Sequence, residues 1–339
     1  MSEQERVLPG TPTEPLDAPL ATSQDAVATR APATGLAAHL HAVVRSMRPR
    51  QWTKNLIVFM ALLFSIDEDW QVSDPDSWLP LLGWTVITFV LFCLISSADY
   101  LVNDIMDRES DRQHPRKRKR PIAAGELSVR AAAVWAAVLA AAAIGTAFAL
   151  TPWITWHVGA TLCGYIVLML AYTFYLKHVV LMDMMVIGAG FVLRAMAGAL
   201  AIDVPISPWL YVVTALAALF LVIHKRRAEL TLLESDAASH RPILDQYSPA
   251  LLDQIASLVT ASTLISYGLY TFTAENLPDN DAMMLTIPFV LYGLLRYLYL
   301  VHQKGAGGSP EEILLSDWPL IIDIGLWLTT AAIVLMVYR

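Results

Sequence analysis

The chain has 339 residues, 56% hydrophobic and 16% charged, with a mean hydropathy of +0.52 and a formal net charge of -7. Soluble domains carry about 25% charged residues, so this composition excludes an ordinary soluble domain and points to a polytopic membrane protein. Cys93 and Cys163 both lie in apolar runs, which argues against a disulfide framework.

Residues 1–34 are rich in Pro, Ala, Thr, Ser and acids, and they read as a disordered tail without the basic and apolar regions of a signal peptide. From residue 35 to about 47 the pattern changes. Leu36, Leu40, Val43, Val44 and Met47 share one helical face, which predicts an interfacial helix.

Apolar runs then recur at roughly 51–66, 79–102, 131–150, 153–175, 179–201, 208–224, 251–273, 282–302 and 318–338. Most approach the ~20 residues that a membrane span needs, so an all-α protein of about nine transmembrane helices is expected, the first span being the shortest. The connections DEDWQVSDPDS, Thr151-Pro152, IDVPIS and AENLPDND contain no Lys or Arg. The opposite side holds Arg45, Arg48, Arg50, Lys54, the basic run after Asp111, Lys177, Lys225, Arg226, Arg227, Arg241 and Lys304. The positive-inside rule therefore puts the N-terminus and the basic loops on the cytoplasmic side of the inner (plasma) membrane, and Arg339 outside. Arg194 and Arg296 are read as the charges within the spans.

The first charged motif closes span 2. Asp104, Asp107 and Asp111 are spaced i, i+3, i+7, which on one helix turns through about 300° and 700°, so their carboxylates share a face beside Asn103. Three such carboxylates repel one another unless a cation lies among them. An all-oxygen set without His or Cys favours Mg²⁺, an ion that keeps waters and bridges to substrate phosphates. The bland alternative is a solvated helix end. Arg116, Lys117, Arg118, Lys119 and Arg120 follow at once; they suit anionic lipid or, beside a metal-type acidic face, the developing charge of a diphosphate leaving group.

Later spans add Tyr172, Tyr175, Lys177, Asp183 and Arg194, then Lys225, Arg226 and Glu229. Asp183 and Arg194 face the same way, but eleven residues is about 16 Å of helix, too far for direct contact. Lys225 and Glu229 are spaced i, i+4, as in a surface ion pair. Arg48, Lys54 and Asn55 flank span 1 at the same membrane face, where a basic anchor with interfacial Trp52 is the simple reading.

The segment NDIMDRESD (Asn103–Asp111) fits the NDxxDxxxD motif, and the chain thereby resembles the UbiA superfamily of membrane prenyltransferases. RPRQWTKN, HPRKRKRPIAAG, YLKHVVLMDMMVIGAGFVLRAMAGA and HKRRAEL, in that order, resemble the branch that transfers phosphoribosyl groups to decaprenyl and related polyprenyl phosphates. The resemblance runs from about Arg48 to the C-terminus. It implies a UbiA-like helical bundle and a Mg²⁺-dependent enzyme. The donor would be phosphoribosyl diphosphate and the acceptor a polyprenyl phosphate lipid of the membrane, with pyrophosphate released and the product feeding cell-wall arabinan precursors. Asn103, Asp104, Asp107 and Asp111 would hold the metal, with Asp107, Asp111 and Asp183 as catalytic residues. Lys54, Lys117, Arg118, Arg120, Tyr175, Lys177, Arg194, Lys225, Arg226 and Glu229 would bind substrate. No nucleic-acid partner is implied, and a homo-oligomer is compatible with it. Many prenyl-diphosphate-using members carry a second motif with at least two acids, whereas here the matching helix offers only Asp183. The competing reading is a UbiA-type transfer of a polyprenyl group from its diphosphate to an aromatic acceptor. A transporter with charged gates is a third.

Overall fold

The computed structural model describes residues 35–114, 117–205, 207–235, 242–274, 277–304 and 310–338. The expected N-terminal tail, Arg116, Arg241 and Arg339 lie outside the described residues. The described chain opens with α1 (Leu36–Ser46), a helix at the position expected for an interfacial one, which buries Ala42, Val43 and Ser46. A 3-10 helix follows over Pro49–Phe59 and runs into the short α2 (Met60–Phe64). Then come α3 (Pro75–Met106), α4 (Arg108–Gln113), α5 (Val129–Ala149), α6 (His157–Phe174), α7 (Met182–Ile202) and α8 (Pro208–Ser235). The chain closes with α9 (Pro249–Thr273), α10 (Ile287–Lys304), α11 (Pro310–Ser316) and α12 (Trp318–Tyr338).

Among the described residues, eight helices are long and apolar enough to cross a membrane: α3, α5, α6, α7, α8, α9, α10 with its preceding turn, and α12. The protein is an all-α, multi-pass membrane protein. Local chemistry sets several boundaries. The Asp74 carboxylate accepts from Asp76 N–H at the start of α3, and Ser128 and Ser248 do the same for Ala131 and Leu251 at the starts of α5 and α9.

The first expected span differs from a regular helix. Residues 49–64 are a 3-10 helix of 11 residues joined to five of α-helix. At about 2.0 and 1.5 Å per residue they still reach roughly 30 Å, the thickness of a bilayer core. Their polar side chains are spent on neighbouring helices. Trp52 Nε1 donates to Ser97 Oγ at 3.2 Å, and Asn55 Nδ2 lies 3.3 Å from Cys93 Sγ and 3.4 Å from Ser96 Oγ. The backbone at Val58 runs so close to α7 that a methyl group at Gly198 would collide with the Val58 carbonyl.

α7 forms the middle of the bundle, packing on the 49–59 segment, α3, α6 and α8. One buried cluster joins Val58, Phe92, Ile95, Leu162, Tyr165 and Val186. A second, larger one joins α8, α9 and α10 through Phe220, Ile223, Leu252 and Tyr297. At 32 residues α3 is about 48 Å long, more than a ~30 Å hydrocarbon core requires, so its last turns carry the acidic motif out to the membrane boundary.

Candidate active site

The helix that carries the motif breaks at Asp107, which closes α3 and opens α4, while Asp107 N–H still bonds to Asn103 C=O at 2.9 Å and Asp111 N–H to Asp107 C=O at 2.8 Å. The kink divides the three carboxylates. Asp104 and Asp111 are buried at 1% and 2% exposure and turn toward one guanidinium: Arg120 Nη1 donates to Asp104 Oδ1 at 3.0 Å and to Asp111 Oδ2 at 2.6 Å. Arg48 also pairs with Asp104, and its guanidinium stacks over the Tyr100 ring at 5.0 Å. Arg48 adopts φ +54°, a left-handed backbone ahead of Pro49 that turns its side chain back toward α3. Asp107 points the other way and accepts from Lys177 Nζ at 2.6 Å.

Arg48, Arg120 and Lys177 thus bring positive charge to the three carboxylates. Among the described residues no three His, Cys, Asp or Glu side chains converge tightly enough to enclose a metal ion. Arg48, Arg120 and Lys177 bond to one oxygen of each carboxylate: Oδ1 of Asp104, Oδ1 of Asp107 and Oδ2 of Asp111. The second oxygens and the half-buried Asn103 form a hard, all-oxygen donor set. That set fits Mg²⁺ held by few protein ligands and completed by water and phosphate, and it does not fit a closed protein cage. Arg45, Arg48, Asp104, Lys119, Arg120 and Pro121 line a cavity of about 270 Å³ at this end of the bundle.

The second group is built on the starts of α7 and the end of α8. Asp183 is fully buried; Arg226 Nε donates to its Oδ2 at 2.9 Å and Tyr247 O–H to its Oδ1 at 2.7 Å. Tyr247 O in turn accepts from Leu181 N–H at 2.7 Å, which holds Leu181 at φ +67° just before α7. Burial, and then the Asp183 carboxylate, push the Tyr247 hydroxyl up to about 12 despite the opposing Leu181 bond, so it stays a donor. Arg226 also reaches Glu229 at 2.7 Å and Tyr172 O at 3.4 Å. Glu229 therefore pairs with Arg226 at i, i+3, and Lys225 beside it is half-buried.

The third group lies deeper. Arg194 is 5% exposed and donates to Asn55 Oδ1 at 2.7 Å, Tyr165 O at 2.7 Å and Gly190 C=O at 2.8 Å, with its guanidinium 4.7 Å from the Tyr165 ring centre. Asn55 is buried between α3 and α7, not an anchor at the membrane face. The span-buried charge of Arg194 and the pair at Asp183 are separate, as the 16 Å separation implies.

Several expected residues sit outside these groups. Tyr175 is 75% exposed on the surface, because the chain leaves α6 there, and Tyr172 one turn earlier turns inward in its place. Lys117 and Arg118 are exposed on a short 3-10 turn; Lys54 is half-buried. Asp99 and Asp323 join Arg194 and Arg296 as charges inside the spans. Asp99 lies at i-4 from Asn103 and i-8 from Asp107, a helical spacing legible in the sequence.

The sequence matches the UbiA prenyltransferase family over residues 56–310. It is 35% identical to the decaprenyl-phosphate phosphoribosyltransferase of Mycolicibacterium smegmatis, across 91% of this chain and 96% of that one. To the enzyme of the same name from Corynebacterium glutamicum it is 36% identical, across 87% and 86%. The fold superposes on a UbiA homolog from Archaeoglobus fulgidus bound to GPP and Mg²⁺ with a TM-score of 0.65 at 20% identity, covering 87% of this chain and all of that one.

Proposed function

The chain belongs to the UbiA prenyltransferase family, and from that premise we propose that it transfers the 5-phosphoribosyl group of phosphoribosyl diphosphate to decaprenyl phosphate or a closely related polyprenyl phosphate, with Mg²⁺ and release of pyrophosphate. The end-to-end likeness to the two phosphoribosyltransferases supports the reaction. The observation that carries it within the structure is Asp183, whose carboxylate is taken up by Arg226 and Tyr247, so among the described residues the acids placed to share a metal with water and phosphate are those of the Asn103–Asp111 motif. One metal region and several cations suit a donor that brings both a diphosphate and a 5-phosphate.

Mg²⁺ would be held by oxygens of Asn103, Asp104, Asp107 and Asp111, and it would neutralise charge on the diphosphate as it leaves. Arg120 and Arg48 orient Asp104 and Asp111 through their hydrogen bonds, so the donor set is in place before substrate arrives. Lys177 sits beside Asp107 and can turn its ammonium to a phosphate oxygen. Arg226 closes the rim from α8, and Lys54, Lys117, Arg118 and Lys225 add positive charge around the mouth. The C1–O bond to the diphosphate breaks as a lipid phosphate oxygen bonds to C1. The acceptor is an anion at neutral pH, so no strong general base is required, and catalysis is orientation and charge stabilisation.

The site faces the cytoplasm on this reading. The support is charge: Arg45, Arg48, Arg120, Lys177 and Arg226 gather at one end of the bundle, while the loops at the other end carry acids and no Lys or Arg. Pyrophosphate release by the purified protein tests the reaction. It should require phosphoribosyl diphosphate, a polyprenyl phosphate and Mg²⁺ together; release without the lipid acceptor, or with prenyl diphosphate and an aromatic acceptor instead, would contradict it.

A further inference from the structure

Asp99 lies inside α3, one turn deeper than Asn103 and two turns deeper than Asp107, and is 8% exposed. Its Oδ1 is sealed from solvent and has no hydrogen-bond partner. The charges that act on it are Arg194, Arg48, Asp104 and Lys177, and none of them bonds to it. A carboxylate within a membrane span is costly and is retained where it meets a partner or lines a polar cavity. A buried carboxylate oxygen without a donor leaves its desolvation uncompensated. Every other buried acid of the site has its donor: Asp104 and Asp111 have Arg120, and Asp183 has Arg226 and Tyr247.

A bound substrate can supply the missing donor. Resting on the reaction proposed above, the two substrates differ sharply in what they can offer. Their phosphates and diphosphate are acceptors at neutral pH, and the polyprenyl chain has no polar hydrogen. The hydroxyls of the pentose are the only carbon-bound donors that either substrate carries. A carboxylate also matches a vicinal diol geometrically, with one oxygen for each hydroxyl.

We infer that Asp99 is a substrate-contacting specificity residue that accepts hydrogen bonds from the ribose hydroxyls of the donor, placing the sugar one turn inside the diphosphate region. It distinguishes a hydroxylated pentose from its deoxy counterpart and holds C1 in line with the lipid phosphate.

The test is a double-mutant cycle on the full chain in detergent with Mg²⁺. Binding of phosphoribosyl diphosphate and of its 2-deoxy analogue is titrated, and kcat/KM for both is measured, in the wild type, Asp99→Asn and Asp99→Ala. The wild type should lose roughly ten- to hundredfold on removal of the hydroxyl, the range for one hydrogen bond to a charged acceptor. Asp99→Ala should lose a similar factor with the full donor and show little further loss with the deoxy donor. Asp99→Asn, of the same size and able to accept through its amide oxygen, should fall between and reports on folding. Equal deoxy penalties in wild type and both variants would overturn the assignment of Asp99 and leave the proposed reaction standing. A wild type that binds no phosphoribosyl diphosphate at all would overturn both.

Discussion

Arg226 Nε lies 2.9 Å from Asp183 Oδ2, and both side chains are almost wholly buried, at 3% and 0% exposure. The pair ties α8 to the start of α7, and Tyr247 extends it to the connection before α9. Removing one partner of a buried pair strands the other charge and costs about 3–5 kcal/mol. Arg226 retains Glu229 when Asp183 is lost, so Asp183→Ala should fall at the lower end of that range and Arg226→Met at the upper end. Thermal unfolding in detergent, followed by a thiol-reactive dye, measures both. Equal melting temperatures for Asp183→Ala and wild type would remove the structural role given to this acid.

Asp107 is the motif acid held by a single flexible ammonium, while Asp104 and Asp111 are fixed by guanidinium. Asp107→Ala should lower kcat by about 10²–10³-fold, the cost of removing one well-placed electrostatic group, with little change in melting temperature. Arg120→Lys should also impair turnover, because the bridging Nη1 sits on a planar guanidinium whose placement a flexible, strongly hydrated ammonium does not reproduce. Its effect should appear in the Mg²⁺ concentration needed for half-maximal rate, since Asp104 and Asp111 lose their common brace.

Gly198 is a packing constraint with a measurable consequence. A side chain there meets the Val58 carbonyl, which belongs to backbone and cannot rotate away. Gly198→Ala should destabilise by about 1–3 kcal/mol through overpacking. Gly145→Ala, where a methyl meets open space, is the matched control and should melt like the wild type.

Much of this architecture is legible in the sequence. Eight spans follow from apolar run length, because a bilayer imposes one length on every regular helix. The 3-10 path of the shortest run, over residues 49–59, does not, since Gln51, Trp52, Lys54 and Asn55 interrupt an apolar face and the neighbouring Ser97, Cys93, Arg194 and Gly198 explain that path. The acidic motif shows in its spacing, but the kink at Asp107 that sends one carboxylate to Lys177 is a tertiary effect. Arg194 announces itself as a charge in an apolar run, whereas its partners Asn55 and Tyr165 lie 139 and 29 residues away. Tyr175 and Tyr172 cannot be ranked from sequence, because which one faces inward depends on where α6 ends.

The pair between Arg296 and Asp317 gives a pH dependence of known sign. Hydrogen bonds from Arg296, at 2.8 Å and 3.1 Å, hold the Asp317 carboxyl below its usual range, with a further contribution from Leu320 N–H. A carboxylate depressed in the folded state adds stability that is fully present above its unfolded pKa of about 3.9 and is lost as pH falls through the lower folded value. The melting temperature should therefore drop more steeply below about pH 4 in the wild type than in Asp317→Asn. Parallel acid profiles for the two proteins would show that the pair contributes nothing there.

The transfer itself is tested most directly by following the pentose. Purified protein in detergent receives phosphoribosyl diphosphate labelled in the ribose, decaprenyl phosphate and Mg²⁺, and the organic phase is counted after extraction. The expected result is label in the lipid fraction, abolished by EDTA, restored by added Mg²⁺ and lost in Asp107→Ala. Label that stays in the aqueous phase, while a prenyl diphosphate is consumed in the presence of an aromatic acceptor, would contradict the phosphoribosyl reading and make the chain a conventional prenyltransferase.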